Sequence, residues 1–178
     1  MRSPGGDRPL LVGPESGPTS PFPLRVGGPV IKGFGRGSKE LQIPTANIPI
    51  EGLSVGGCEN VESGVYYGYA SLALPSAPEP IVFPMVMSIG WNPFYKNKVR
   101  SVEVHIIHEF KEDFYGVEMR LVILGYIRPE YDYVSKEALI EDIKFDIKVG
   151  LKSLERGAYK AFKDDPYLKT VKQGEGRN

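Results

Sequence analysis

The sequence predicts a mainly β protein, an antiparallel sheet closed on itself and covered by one long C-terminal helix. Two observations carry this. From Val26 to Ile127 the chain consists of strand-like runs at roughly ten-residue spacing with no helical period between them. At Ser135 the period switches once, to apolar residues recurring at three and four.

In chain order, residues 1–23 come first, with six of the 16 prolines and four of the 21 glycines. So punctuated a stretch supports no packed element and is expected to be a flexible arm touching the body near Phe22-Pro23-Leu24. The strand runs follow: Gly64–Leu74, Ile81–Trp91, Arg100–Glu109 and Tyr115–Ile127, each rich in β-branched and aromatic residues. Ser101-Val102-Glu103-Val104-His105-Ile106 alternates polar and apolar, so its two faces differ. Pro84 marks an edge or a bulge. Strands without intervening helices favour closure, which removes exposed edges. Ser135 is placed to cap a helix whose stripe is Leu139, Ile140, Ile143, Ile147, Leu151 and Leu154, with Glu141, Asp142, Lys144, Lys148 and Lys152 toward solvent. One body is expected over 24–168, and 169–178 reads as a polar tail.

Composition narrows the function. Lys plus Arg and Asp plus Glu are 22 each, giving no net charge. A protein built to grip nucleic acid or an anionic membrane surface would carry a basic excess, so neither partner is expected. A single cysteine, Cys58, forms no internal disulfide and suggests a reducing compartment. The start MRSPGGDRPL has no apolar core and does not read as a secretory signal, and no apolar run approaches the ~20 residues that span a bilayer. Cytoplasmic placement is expected, with mitochondrial association left open. The balanced surface favours a monomer.

Five segments could carry chemistry. In Gly33-Phe34-Gly35-Arg36-Gly37-Ser38-Lys39, alternate glycines free backbone N–H groups to converge on phosphate oxygens, with Arg36 and Lys39 adding charge. The order is neither a P-loop nor a dinucleotide fingerprint, and a plain glycine-rich turn is the alternative. In Ile43-Pro44-Thr45-Ala46-Asn47-Ile48-Pro49, the prolines hold an extended segment, so Thr45 and Asn47 share a face. Their hard neutral oxygens suit Mg²⁺ supplemented by substrate phosphates, or they simply bond their own backbone. Glu103 is either a general base or half of a cross-strand ion pair. Trp91–Asn97 is an aromatic turn that stacks a ligand or plugs the sheet. Arg128-Pro129-Glu130 with Tyr131-Asp132-Tyr133 is a recognition loop or a charged connector. His105 and His108 face opposite ways, so they form no zinc pair.

Together, GFGRGSKELQIPTANIP, SGVYYGYA, MVMSIGWNPFYKN, SVEVHI, EDFYG and GYIRPE resemble the eukaryotic single-function riboflavin kinase family, from about Val26 to Leu154. The resemblance implies a six-stranded antiparallel Greek-key barrel with a C-terminal helix, and transfer of the ATP γ-phosphate to the ribityl 5′-hydroxyl of riboflavin, giving FMN and ADP. It assigns Glu103 as the catalytic carboxylate, and Thr45 and Asn47 to Mg²⁺, with Zn²⁺ or Mn²⁺ open to the same donors. Gly33 and Lys39 fall in the ATP loop; Ile106, His108 and Tyr115 fall at the nucleotide pocket. Arg128 and Tyr131 fall on the flavin side, with Trp91 and Tyr95 as further candidates there. The family commonly has glycine where Gln42 stands, so the ATP loop is expected to be set differently. Only about 25 residues precede the kinase motifs; the adenylyltransferase domain fused to bacterial relatives has no room, and FAD synthesis is not expected. The alternative is a flavin- or nucleotide-binding barrel without catalysis.

Overall fold

The computed structural model describes residues 7–32, 43–48, 61–91 and 100–170. Gly33, Lys39, Gln42, Tyr95 and most of the expected polar tail lie outside the described residues. Six strands, β1 (Leu24–Pro29), β2 (Ala46–Asn47), β3 (Gly64–Leu72), β4 (Ile81–Trp91), β5 (Arg100–Ile106) and β6 (Glu118–Arg128), pair antiparallel in the order β1–β6–β3–β4–β5–β2. The sheet curls into a half-barrel. Its outer strands meet at one bridge just beyond β1, where the Ile31 N–H donates to the Asn47 carbonyl at 2.9 Å.

Two places in β6, Leu124 and Ile127, have no partner on β3. Such bulges raise the local twist and help an open sheet bend round. At one of these steps Gly68 is in near contact with β6: a Cβ there would stand 2.0 Å from the Val122 carbonyl oxygen. Gly68→Ala is therefore expected to destabilise the fold by ~1–3 kcal/mol or more, read as a lower urea midpoint. Pro84 lies in a central strand, and its effect is nonetheless that of an edge. Pairing with β5 begins only at Met85, and the Pro84 carbonyl accepts from the Ile107 N–H at 2.9 Å just past the end of β5. The missing donor thus falls where the ladder runs out.

Side-chain alternation creates two apolar layers. Tyr66, Met85, Met87, Val102, Val104, Leu121 and Ile123 fill the inside of the curl. Tyr67, Tyr69, Val86, Val122 and Leu124 point outward, against Leu154, Tyr159 and Leu168. Every residue of β3 is buried because both of its faces are covered, so its run lacks the alternation of a half-exposed strand.

The long helix, α1 (Lys136–Leu154), begins as expected: the Ser135 hydroxyl accepts from the Ala138 N–H at 3.1 Å. Most of the expected stripe faces inward, with Leu139 and Ile143 over the sheet, Ile147 packed on the outer layer and Leu154 buried, but the buried face extends beyond it. Asp146, Val149, Gly150, Ser153 and Leu154 are buried, whereas Leu151 is exposed. The buried face is widened toward Asp146, Val149, Gly150 and Ser153 because Gly150 permits close approach to Val86 and Tyr67, and because Asp146 answers a buried arginine. Asp142, expected at the solvent side, turns inward for the same reason.

The arm also departs from expectation over its described residues. Rather than hanging free, residues 7–23 run along α1 and the following turn. The Val12 N–H donates to the Ser153 hydroxyl at 3.1 Å, and the Tyr67 hydroxyl donates to the Val12 carbonyl at 2.6 Å. Arg156 donates to the Gly13 carbonyl at 2.7 Å and Tyr159 to the Pro14 carbonyl at 2.8 Å. The arm makes only turn-type bonds with itself, Gly17 N–H to the Pro14 carbonyl and Phe22 N–H to the Thr19 carbonyl, and donors from the body take up the carbonyls of Val12, Gly13 and Pro14.

Candidate active site

The outer face of β4 and β5 is uncovered beneath the first turns of α1, and a cavity of about 370 Å³ opens there. Strand alternation sets its floor: Val86 and Ser88 come from β4, Glu103 and His105 from β5, while Val102, Val104 and Ile106 turn into the core. Arg128, Glu130, Tyr131 and Tyr133 form one wall, and Leu139, Ile143 and Asp146 close it from α1. Ile43 and Thr45 complete the rim.

Register brings the two sequence-predicted motifs together. Asn47 of β2 is the direct cross-strand partner of Glu103. Directly opposed residues of an antiparallel pair project on one side with Cβ atoms ~5 Å apart, so the amide and the carboxylate are neighbours. His105 fastens the same junction, its Nδ1 lying 2.8 Å from the Pro44 carbonyl oxygen. A carbonyl only accepts, so Nδ1 carries the proton and donates.

Glu103 is open to the cavity, yet the surrounding walls desolvate its carboxyl and raise its pKa above the ordinary carboxylate range. Among the described residues no cation forms an ion pair with it, leaving the cross-strand salt bridge without support. Glu130 is raised too, mainly by burial, with Arg128 opposing the shift. Its side chain is seated against β4, where a Cβ on Gly90 would come within 2.1 Å of Glu130 Oε1. Of the two carboxylates, Glu103 is therefore the one on an open floor.

A second cavity, about 460 Å³, opens at the end of the curl. Pro44, Thr45, Ala46, Val104 and Ile106 line it, with Phe110, Phe114 and Tyr115 from the loop before β6. Thr45 lines both cavities. His108 lines neither and packs behind, its ring centroid 4.7 Å from Phe83 and 4.8 Å from Phe110. Trp91 is half-exposed, with the Arg100 guanidinium 5.9 Å from its ring centroid, and lines neither cavity.

Arg128 reaches the first cavity but is heavily engaged. Its Nε and Nη2 fork onto Asp146 at 2.9 and 2.8 Å, and its guanidinium lies 5.1 Å from the Tyr131 ring centroid and 5.8 Å from that of Tyr133. Sequence reasoning missed Ser88 and Asp146, whereas Tyr133 lies in the loop it singled out. Ser88 was detectable, as a polar residue alternating with Met87 and Ile89. Asp146 was not, since nothing local distinguishes it from a solvent-side helix aspartate.

The arrangement is two cavities meeting at one threonine, with an amide and a raised carboxylate next to it. That layout suits joining two substrates end to end across a small reacting centre. Residues 20–154 match the family described as "Flavokinase: Riboflavin kinase". The chain is 48% identical over 198 residues to the riboflavin kinase of Emericella nidulans, with 94% of each chain covered. It is 56% identical over 162 residues to that of Pyricularia oryzae, covering 85% of this chain and 81% of the relative. The crystal structure of riboflavin kinase from Trypanosoma brucei superposes with a TM-score of 0.70 at 25% identity, covering 88% of this chain and 92% of that one. Motif order, fold and relatives agree, and the chain belongs to the riboflavin kinase family.

Proposed function

We propose that this chain is an ATP:riboflavin 5′-phosphotransferase in which Glu103 is the general base. The observation that carries the residue assignment is the pairing of Asn47 with Glu103, next to a threonine shared by two cavities. Riboflavin occupies the Glu103 cavity, between the sheet and α1. ATP occupies the cavity at the end of the curl, against Ile106 and Tyr115, with Gly33 and Lys39 assigned to its phosphates.

Phosphoryl transfer asks a protein mainly for alignment and charge stabilisation. The ribityl 5′-oxygen forms a bond to the γ-phosphorus while the bond from that phosphorus to the β–γ bridging oxygen breaks, giving FMN and ADP. The 5′-hydroxyl proton goes to Glu103 and from there to water. A raised pKa brings the carboxylate closer in basicity to its task than an exposed glutamate would be.

The family uses a divalent metal, and the donors present fit one. Thr45 and Asn47 offer hard neutral oxygens, and among the described residues no cluster of three His, Cys, Asp or Glu could hold an ion by itself. Thr45 and Asn47 would hold such an ion together with phosphate and water oxygens, a donor set that suits Mg²⁺. When bound, it neutralises charge on the β- and γ-phosphates.

Thr45→Ala is expected to raise the KM for Mg-ATP by ~10–100-fold, the loss of one contact to a charged group, and to leave the riboflavin KM nearly unchanged. Steady-state kinetics with each substrate varied in turn checks this; equal loss of both would mark a folding defect instead. The reaction itself is tested by chromatography of FMN after incubation with riboflavin, ATP and Mg²⁺. No FMN from folded protein would leave a binding barrel as the remaining reading. A carrier, however, has no use for a raised carboxylate beside metal-type donors.

A further inference from the structure

Helix α1 carries Asp142 and Asp146 one turn apart and turned inward, their side chains 11% and 1% exposed. Arg128 arrives from β6 and forks onto Asp146, its Nε also standing 3.5 Å from Asp142 Oδ2. The Tyr133 hydroxyl donates to Asp142. From the far end of the chain, Arg8 donates through Nη1 to Asp142 and through Nη2 to Asp146, with its guanidinium 4.7 Å from the Phe145 ring centroid. Arg128, Tyr133 and Asp146 line the Glu103 cavity, and Arg8 does not. The N-terminal arm therefore reaches the cavity wall from behind, through two carboxylates.

The charges explain why two arginines are needed. Carboxylates at i and i+4 repel, and with so little solvent the repulsion is poorly screened. Arg128 spends Nε and Nη2 on Asp146, so Asp142 is compensated by Arg8, whose two terminal nitrogens span the pair. Without Arg8, the uncompensated Asp142 attracts Arg128, already within 3.5 Å, away from its fork on Asp146. The rings of Tyr131 and Tyr133 lie over that guanidinium and would move with it. The cavity wall then changes shape although no lining residue has been altered.

We propose that Arg8 is a positioning residue for riboflavin. It balances the α1 carboxylate pair, so that Arg128 and its two tyrosines hold the cavity wall in its binding shape. The inference rests on assigning the Glu103 cavity to riboflavin. No part of it involves the ATP cavity, so its effect is confined to one substrate.

The test compares wild type, Arg8→Ala, Arg8→Lys and the double variant Arg8→Ala/Asp142→Asn in the full-length chain. Riboflavin Kd is read from quenching of flavin fluorescence, and KM is measured for riboflavin and for Mg-ATP. Arg8→Ala is expected to raise riboflavin Kd and KM by ~5–30-fold, with the Mg-ATP KM unchanged. Arg8→Lys recovers part of the affinity, because a point charge cannot fork onto two carboxylates. The double variant recovers most of it, since the surplus charge is gone and the amide oxygen still accepts from Tyr133. That rescue is what a merely structural role of the arm would not produce.

Riboflavin affinity unchanged in Arg8→Ala, an equal rise in both KM values, or a double variant no better than the single one overturns the proposal. Should Arg8→Ala fail to fold, the contrast of Arg8→Lys with wild type carries the same reading. Wild-type protein that binds riboflavin without forming FMN would refute the transferase assignment, while the Kd series still decides the role of Arg8. Wild-type protein that does not bind riboflavin refutes both.

Discussion

Glu103→Gln lowers kcat by ~10²–10⁴-fold, the contribution of a positioned general base, while riboflavin and Mg-ATP bind nearly as before. Gln keeps the size and a carbonyl acceptor but cannot take the 5′-hydroxyl proton. Rapid-quench measurement of FMN in a single turnover separates the chemical step from product release; a variant that turns over at the wild-type rate would remove Glu103 from the mechanism. The pH profile supplies a second readout. The base works deprotonated, so wild-type kcat falls as pH drops through the Glu103 pKa. Desolvation holds that pKa above the ordinary carboxylate range, which moves the acid limb toward neutrality. In the Gln variant this limb disappears from the residual activity.

The same residue is expected to cost stability. A group with a raised folded pKa binds more protons folded than unfolded, so stability declines as pH rises from the ordinary glutamate range through the raised value. At neutral pH Glu103→Gln should therefore unfold at a slightly higher denaturant concentration than wild type. Lower activity together with unchanged or better stability is the signature of a functional carboxylate.

Asp146→Ala is expected to produce the largest loss of stability, ~3–5 kcal/mol, because it strands Arg128. The Arg128 side chain is 5% exposed and that of Asp146 1%, so water cannot take over the lost contacts. Arg8 loses a partner as well. For a chain of this length the loss corresponds to a fall in Tm of ~6–20 °C, measurable by calorimetry. The cost belongs to the unpaired charge rather than to the missing aspartate. Asp146→Leu/Arg128→Met, which removes both charges and retains volume, should therefore recover most of the stability. It should still bind riboflavin poorly, having lost the wall. If the double replacement is as unstable as Asp146→Ala, packing rather than charge holds this corner.

Much of the fold was legible because it is local. Alternation in 101–106, the single change of period at Ser135 and the Ser135 cap depend on residues a few positions apart, and backbone geometry translates such spacing directly into faces and ends. The candidate site was legible as a set of motifs, because phosphoryl transfer needs particular side chains wherever they lie in the chain. Their mutual placement was not. Nothing in Pro44-Thr45-Ala46-Asn47 or in Ser101–Ile106 states that Asn47 and Glu103 face each other; that follows from β2 pairing with β5 in one register.

The clearest misreadings share that cause. Hydropathy found most of the apolar stripe of α1, but Leu151 stays out and Asp146, Asp142 and Gly150 turn inward because Gly150 meets Val86 and Asp146 meets Arg128. The arm is expected from sequence to touch the body only near Phe22-Pro23-Leu24 because it supports no packed element alone, yet carbonyls at Val12, Gly13 and Pro14 are taken by donors from Tyr67, Arg156 and Tyr159. The sequence by itself determined the strand-rich class, the capped helix and the chemical inventory of a flavin-phosphorylating family, since each is written in short-range pattern or residue type. Only the tertiary structure decided which carboxylate stands on the open floor, how far the buried helix face extends, and that Arg8 reaches an aspartate 134 residues away. Those outcomes depend on contacts that exist only once distant segments share a surface, and no local period encodes them.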